Sequence, residues 1–311
     1  MKRREFVKTV TAAAVVAGAK GTLLAQQEQK KDLDLVAIYG GTPVEMFEKG
    51  IAEMGGMSRF VKEGQTVVIK PNIGWDKAPE FGANTDPELV AAVVKSCLAA
   101  GAKEVLCFDH TCQNPADCYK NSGIAAAVEA AGGTMVAGNA DNMYVNREIP
   151  KGVSLKNAKV HRLAATADVF INIPILKHHG GAKITCAMKN YMGCVLDRQI
   201  WHRSDLPQCI ADFSTYQKTT LTIVDAYRVM LEHGPQGKSP KFAPVAKYQI
   251  ISTDIVAADA AAVQIFATVA KQYGMGKPYE ISEIPYIGFA EKLGVGTADL
   301  KKLNMKRISL A

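Results

Sequence analysis

No run of about 18 uninterrupted apolar residues occurs in the chain, so stable membrane insertion is not expected. Aromatic residues are scarce, at 7% with two tryptophans, and no Lys/Arg-rich stripe interleaves with them. That removes the basic, base-stacking face of a nucleic-acid binder, and nucleic acid is not an expected partner. No G-x-G-x-x-G follows a strand-like segment, and G-x-x-x-x-G-K-S/T, G-x-S-x-G and H-E-x-x-H are all missing. A standard dinucleotide site, a P-loop, a hydrolase nucleophile elbow and a zinc-protease helix are therefore without support. The seven cysteines (97, 107, 112, 118, 186, 194, 209) include no C-x-x-C pair, so neither a ferredoxin-type cluster nor a thioredoxin-like redox site is encoded.

What is present is ordinary for a globular protein, with 48% hydrophobic and 22% charged residues over 311 positions. That length corresponds to one large or two closely packed domains. The first 25 residues stand apart. Lys2-Arg3-Arg4-Glu5-Phe6-Val7-Lys8 is a charged segment with adjacent arginines, followed by a small-residue apolar stretch to Ala19 and by Leu23-Leu24-Ala25. The arrangement resembles a twin-arginine export signal, which makes the translocation machinery a partner and the periplasm the expected location. An amphipathic N-terminal helix is the competing reading. Residues 26–33 read as a polar linker. Residues 1–25 carry five cations against Glu5, a net of +4, so the remaining chain holds about +3 of the total +7. In an oxidising compartment disulfides are permitted, and seven cysteines leave at least one thiol unpaired within the chain.

From residue 34 onward, strand-like and helix-like segments alternate. Strands are expected at 35–39, 66–70, 104–108, 134–137, 168–173, 219–225 and 247–252. Helices are expected at 43–57, 87–100, 122–131 and 254–271. Near-continuous apolar strands joined by helices indicate parallel strands buried on both faces. The expected class is α/β, a mostly parallel sheet with flanking helices in two packed Rossmann-like lobes. A break in the rhythm at 140–160 marks the expected boundary between them. In such sheets ligands gather at the carboxyl ends of the strands.

Four clusters follow strand ends. Lys70 and Asn72 close one strand and precede Asn84-Thr85-Asp86-Pro87, a candidate anion site; alternatively Asn84 or Thr85 simply caps the helix and Lys70 is solvated. Asp109-His110-Thr111-Cys112 follows the next, with a Cys112–Cys118 disulfide as the alternative for its thiol. The densest cluster is Pro174 to Cys194, where Lys177, His178, His179, Lys189 and Asn190 crowd a Gly-rich segment, with His202 shortly after. So many cations and imidazoles side by side are unfavourable unless something anionic or metallic binds them. A helix from 183 onward is expected there, its N-terminus pointing back to the site. The fourth cluster is Gly234-Pro235-Gln236-Gly237, a turn whose N–H groups could cradle an oxyanion or merely turn the chain. Thr253-Asp254 and Asp259 read as structural features of the helix that follows.

Several of these motifs recur together in a known family. V-I-K-P-N at 68–72, T-D-P at 85–87, G-A-K-E-V-x-x-x-D at 101–109 and I-P-x-L-K-x-H at 173–179 appear in order. They are followed by T-x-x-x-K-N-x-x-G at 185–193, G-P-x-G at 234–237 and S-T-D-x-V-A-A-D at 252–259. Over roughly 34–300 the chain resembles the domain of unknown function 362 family, many members of which carry ferredoxin modules that this cysteine spacing does not encode. The resemblance implies the α/β fold and no particular reaction. A fainter similarity is to the nickel-pincer lactate racemases. It implies a cofactor tethered to a lysine and imidazole acid–base chemistry on a hydroxy acid, with His110, His178 or His179, Lys189 and His202 in comparable positions.

The residues support an enzyme acting on a small anionic, carboxylate-type ligand in an interlobe cleft, with a transition metal or a Lys-tethered cofactor as the expected helper. His110, His179 and Lys189 are the candidate catalytic residues. Lys70, Asn72, Lys177, Asn190, Gly234 and Gly237 would bind substrate, and His178 and His202 would hold metal. A periplasmic anion- or metal-binding protein without catalysis is the alternative. A redox protein acting through Cys112/Cys118 or Cys186/Cys194 is the third reading.

Overall fold

The computed structural model describes residues 32–310, and the proposed export signal lies outside them. The strands in chain order are β1 (Leu35–Tyr39), β2 (Thr66–Pro71), β3 (Glu104–Cys107), β4 (Thr134–Met135), β5 (Tyr144–Glu148) and β6 (Asn157–His161). They continue with β7 (Val169–Ile173), β8 (Ile175–His179), β9 (Lys183–Thr185), β10 (Leu221–Met230), β11 (Val245–Ser252) and β12 (Met305–Ser309). Ten of these make one sheet with the path β12-β1-β11-β10-β7-β2-β3-β4, and β8 adds to β10 and carries β9. Neighbours β10-β7-β2-β3-β4 run parallel, while β11 is antiparallel to both β1 and β10. The α/β class with a mostly parallel sheet flanked by helices is thus as the apolar strand runs indicate.

Burial on both faces explains those runs. In β2, Val68 joins one apolar core while Val67 and Ile69 join the other. The same alternation puts Phe170 of β7 on the first side and Val169, Ile171 and Ile173 on the second. Helices Pro43–Glu53 and Pro87–Ala99 cover the second face through Met46, Phe47, Leu89, Val90, Val93 and Val94. Helices Leu206–Tyr216 and Ile255–Tyr273 cover the first. Ile255–Tyr273 is long and apolar enough to cross a membrane, but 67% of its most apolar window is packed inside the fold.

Local chemistry sets the helix starts. Thr42 and Glu45 form a reciprocal capping box on the first helix. The second helix is capped by Asp86, whose carboxylate accepts from the Glu88 and Leu89 N–H groups, not by Asn84 or Thr85. Asp254 caps the last long helix in the same manner. The helix expected over 122–131 forms as Ile124–Ala130, and a further short helix, Pro115–Asn121, precedes it across Gly123, whose φ of 75° suits glycine.

The expected two-lobe division is not what forms. Residues from Asp32 onward cluster as one compact unit. The break near 140–160 is the antiparallel pair β5-β6, a separate two-stranded ribbon. Exposure alternates along β5 and β6, with polar residues facing out, so neither carries the continuous apolar run that marks a strand buried on both faces.

Candidate functional site

The carboxyl ends of β2, β3 and β8 converge on a cleft of about 440 Å³. Lys70, Asn72, Asp109, His110, Lys177, His179, Lys189, Asn190 and His202 all line it. Segments far apart in sequence meet there because parallel strands deliver their C-terminal ends to one edge of the sheet.

The two adjacent histidines lie on strand β8 rather than in a turn, so their side chains take opposite faces. His179 lines the cleft and stacks on His202, with ring centroids 5.9 Å apart. His178 points elsewhere, and its Nδ1 accepts from the Gly234 N–H at 3.2 Å. The Gly234 and Gly237 N–H groups are therefore not free to hold an oxyanion, since Gly237 donates to the His233 carbonyl. A Cβ on Gly234 would sit 1.9 Å from the His178 carbonyl oxygen, so this glycine serves close packing. Of that turn only Pro235 reaches the cleft.

The residues do not fit a transition metal. His178 and His202 are not brought together, and among the described residues no group of three His, Cys, Asp or Glu side chains could hold an ion. No disulfide joins any of the seven cysteines, Cys112 and Cys118 included. Burial pushes Cys118 up to about 11 and Cys194 up to about 12, and it holds Cys186 well above the ordinary thiol range, so their thiolates are disfavoured.

Lysines dominate what remains. Lys70, far from solvated, is fully buried, with its Nζ 2.7 Å from Asp109 Oδ1, 2.8 Å from the Pro71 carbonyl and 3.0 Å from Asn190 Oδ1. Lys177 Nζ donates to Asn72 Oδ1 at 3.1 Å and to the Ala83 carbonyl. Among the described residues Lys189 Nζ has one hydrogen-bond contact, the Met192 thioether at 3.0 Å. Asn190 ties the group together, accepting from Lys70 and Asn72 and donating to Asn172 Oδ1 at 2.8 Å. Burial pulls Lys177 and Lys189 each down to about 7, and for Lys189 the neighbouring Arg198 and Lys70 act in the same direction.

The imidazoles are held neutral. His179 Nδ1 accepts from the Gly181 and Ala182 N–H groups, both at 3.0 Å, which leaves the ring proton on Nε2. Burial, with Lys189 and His202 adding to it, drives its pKa down to about 2. His110 Nδ1 lies 3.0 Å from the Val195 carbonyl, an atom that only accepts, so His110 Nε2 is left as an acceptor. Burial and Arg198 lower His110, and burial and Lys189 lower His202.

Lys183–Thr185 forms strand β9, so the expected helix from 183 shrinks to the single turn Ala187–Asn190. Asp259, from the long helix, accepts from the Ala187 and Met188 N–H groups at 2.6 and 3.0 Å and so orients the turn that carries Lys189 and Asn190. Sequence reasoning did not single out Arg198 or Trp75, which also line the cleft, and it placed Thr185 and Gly193 in a shared motif without assigning them to the site. Arg198 donates to the His110 and Thr111 carbonyls and touches Cys112 Sγ at 3.4 Å. No local motif marks it. Asn172 carried a usable signal, a polar residue inside the apolar strand Val169–Ile173.

The sequence matches the family described as domain of unknown function (DUF362) over residues 67–264. The chain belongs to the DUF362 family. Every residue lining the cleft falls within the DUF362 region. A thylakoid-associated protein of Synechocystis is 25% identical over 248 residues, 75% of either chain. A crystal structure of a Thermotoga maritima protein matches with a TM-score of 0.44 at 12% identity, covering 75% of this DUF362 chain and 60% of that one, less than two thirds of its length.

Proposed function

We propose that this DUF362 protein is an enzyme whose cleft binds a small carboxylate-type anion and acts on it with lysine and histidine side chains. One observation carries the reading. Among the described residues, three buried lysines and Arg198 line the cleft against a single carboxylate, Asp109, and that carboxylate is already engaged by Lys70 and by the Ile73 N–H at 2.6 Å. The pocket therefore carries uncompensated positive charge in a water-poor setting, where an anion is the natural complement. Lys177 has two protein acceptors and retains one N–H for a ligand oxygen. His110 Nε2 is available to accept a proton and His179 Nε2 to donate a hydrogen bond, the pairing that acid–base catalysis on such a substrate requires.

Lys177→Met should weaken binding of a C2–C4 carboxylate by about 10- to 150-fold, the equivalent of losing one charge-assisted hydrogen bond of about 1.5–3 kcal/mol. Calorimetric titration of acetate, lactate, malonate and pyruvate into the wild-type chain and the variant measures this. Failure of the whole panel to bind the wild type would overturn the reading. Saturable binding with no turnover of any bound compound would instead establish a carrier protein.

Export belongs to the same reading, supported by Arg3-Arg4 with Phe6 and the small-residue stretch after them, and by a relative that is thylakoid-associated. The exported chain should begin near Gln26, and replacing Arg3 and Arg4 by lysine should retain it in the cytoplasm. N-terminal sequencing of the two fractions tests this, and an exported chain still starting at Met1 would refute processing.

A further inference from the structure

The three cleft lysines differ in what surrounds their amines. Lys70 has three oxygen neighbours, with hydrogen bonds to the Pro71 carbonyl and Asn190 Oδ1 and an ion-pair contact with Asp109 Oδ1. Lys177 has two oxygen partners, which leaves it one donor for a ligand. Lys189 has none: among the described residues only the Met192 sulfur, a weak acceptor, lies within reach of its Nζ. An amine buried to 7% exposure, facing a cavity and lacking an oxygen acceptor, is poorly solvated as a cation and well placed as a neutral nucleophile.

We propose that Lys189 is a covalent catalytic residue that condenses with the carbonyl carbon of a small 2-oxo acid to form an imine in the cleft. The inference rests on the carboxylate reading above, which places the acid group against Lys177. In the step, the Nζ lone pair attacks the carbonyl carbon and the C=O π electrons move to oxygen. Nitrogen then loses its two protons to that oxygen, the C–O bond breaks, and water leaves as C=N forms. No oxidant, reductant or further reactant is needed. The neighbourhood favours each part. Burial brings Lys189 down to about 7, so a substantial share of the amine is unprotonated near neutral pH. His179, neutral and with its proton on Nε2, can hydrogen-bond the carbonyl oxygen as it gains charge, since a neutral imidazole polarises a carbonyl without first losing a proton. Asp259 holds the turn that presents the amine. A 2-oxo acid meets both demands at once, a carboxylate for the lysine field and an electrophilic carbon next to it.

The test traps the imine. The full purified chain is incubated at pH 7 with pyruvate and sodium cyanoborohydride, and the reduced adduct is counted by intact mass and located by peptide mapping. Exposed lysines are almost entirely protonated at that pH, and Lys177 is held by Asn72 and the Ala83 carbonyl. Apart from the α-amino terminus, which also reacts at pH 7, one lysine adduct is therefore expected, at Lys189. An adduct at Lys177 in its place would overturn the assignment. It should be suppressed by excess lactate, which carries the carboxylate without the carbonyl. Mapping is done on the wild-type chain, so the result does not depend on a Lys189 variant folding. Calorimetric binding of pyruvate and lactate is measured on the same sample. If both bind and no adduct forms at Lys189, or if label spreads evenly over surface lysines, the nucleophile assignment is overturned while the carboxylate reading survives. If neither compound binds and no adduct forms, both are overturned.

Discussion

Asp109→Ala should destabilise the protein by about 3–5 kcal/mol, enough to remove a large part of the stability of an ordinary domain. Asp109 is the carboxylate paired with the buried Lys70, and its other oxygen accepts from the Ile73 N–H. Removing it strands a charge that water cannot reach, whereas removing both members leaves an apolar gap of modest cost. The double variant Lys70→Met with Asp109→Leu should therefore recover much of the loss. Gly193→Ala should break the same pair from the other side, because a Cβ there would lie 1.7 Å from Asp109 Oδ1 and 2.6 Å from Lys70 Nζ. Backbone hydrogen bonding from His110 N to the Gly193 carbonyl at 3.0 Å keeps this segment from moving away. Urea denaturation of the four proteins measures the effect. Equal stability of Asp109→Ala and wild type would show that the ion pair is not what holds these strand ends together.

The second large effect is a pair of opposite pH dependences. Lys177 and Lys189 titrate near about 7 in the folded chain, against about 10.4 for an unfolded lysine. Between those values the unfolded chain binds more protons, so the free energy of unfolding rises as pH increases from about 7. Below about 7 both lysines are protonated in both states, and their unfavourable contribution is fully present. Asp225, raised to about 7 by burial and Asp86, is half-titrated at that point and opposes the two lysines only until its titration ends about one pH unit higher. Asp259, raised to about 6 by burial, is nearly finished there. Buried cysteines such as Cys97, pushed up to about 12, act only above about 8.5. Between pH 7 and 8.5 the lysines thus dominate, and the anion-free protein should grow more stable. Carboxylate binding has the reverse sign, because an anion favours the ammonium form. Affinity should fall as pH rises through about 7, by up to about tenfold per pH unit for each proton taken up. Denaturation in anion-free buffer and calorimetry with lactate across this window measure the two slopes. Lys177→Met with Lys189→Met should flatten the first, and slopes of the same sign would exclude the two lysines as their source.

Much of the site was legible because strand ends have a local signature. A Lys or Asp directly after an apolar run, as at Lys70 and Asp109, locates the mouth of a parallel sheet from the order of residues alone. The histidine pair shows where this kind of reading stops. His178 and His179 are chemically identical neighbours, and only the pleat of β8 decides that one lines the cleft while the other braces the Gly234 turn. The Gly-Pro-x-Gly turn was legible as a turn and not as a binder, because whether a backbone N–H is free depends on what lies opposite.

The sequence by itself determined the class of fold, through apolar strands buried on both faces and through the helix starts at Thr42 and Asp254. It also determined that cations and imidazoles would crowd one end of the sheet. Tertiary structure alone decided that the chain from Asp32 forms one compact unit. It also decided that Asp109 would engage Lys70 rather than a ligand, and that three lysines of one residue type would become a satisfied ammonium, a half-satisfied donor and an amine without an oxygen partner. The reason is physical. Residue type sets what a group is able to donate or accept, but desolvation and the count of partners within about 3 Å are set by segments more than a hundred residues apart in the chain, as Lys70 and Asn190 are.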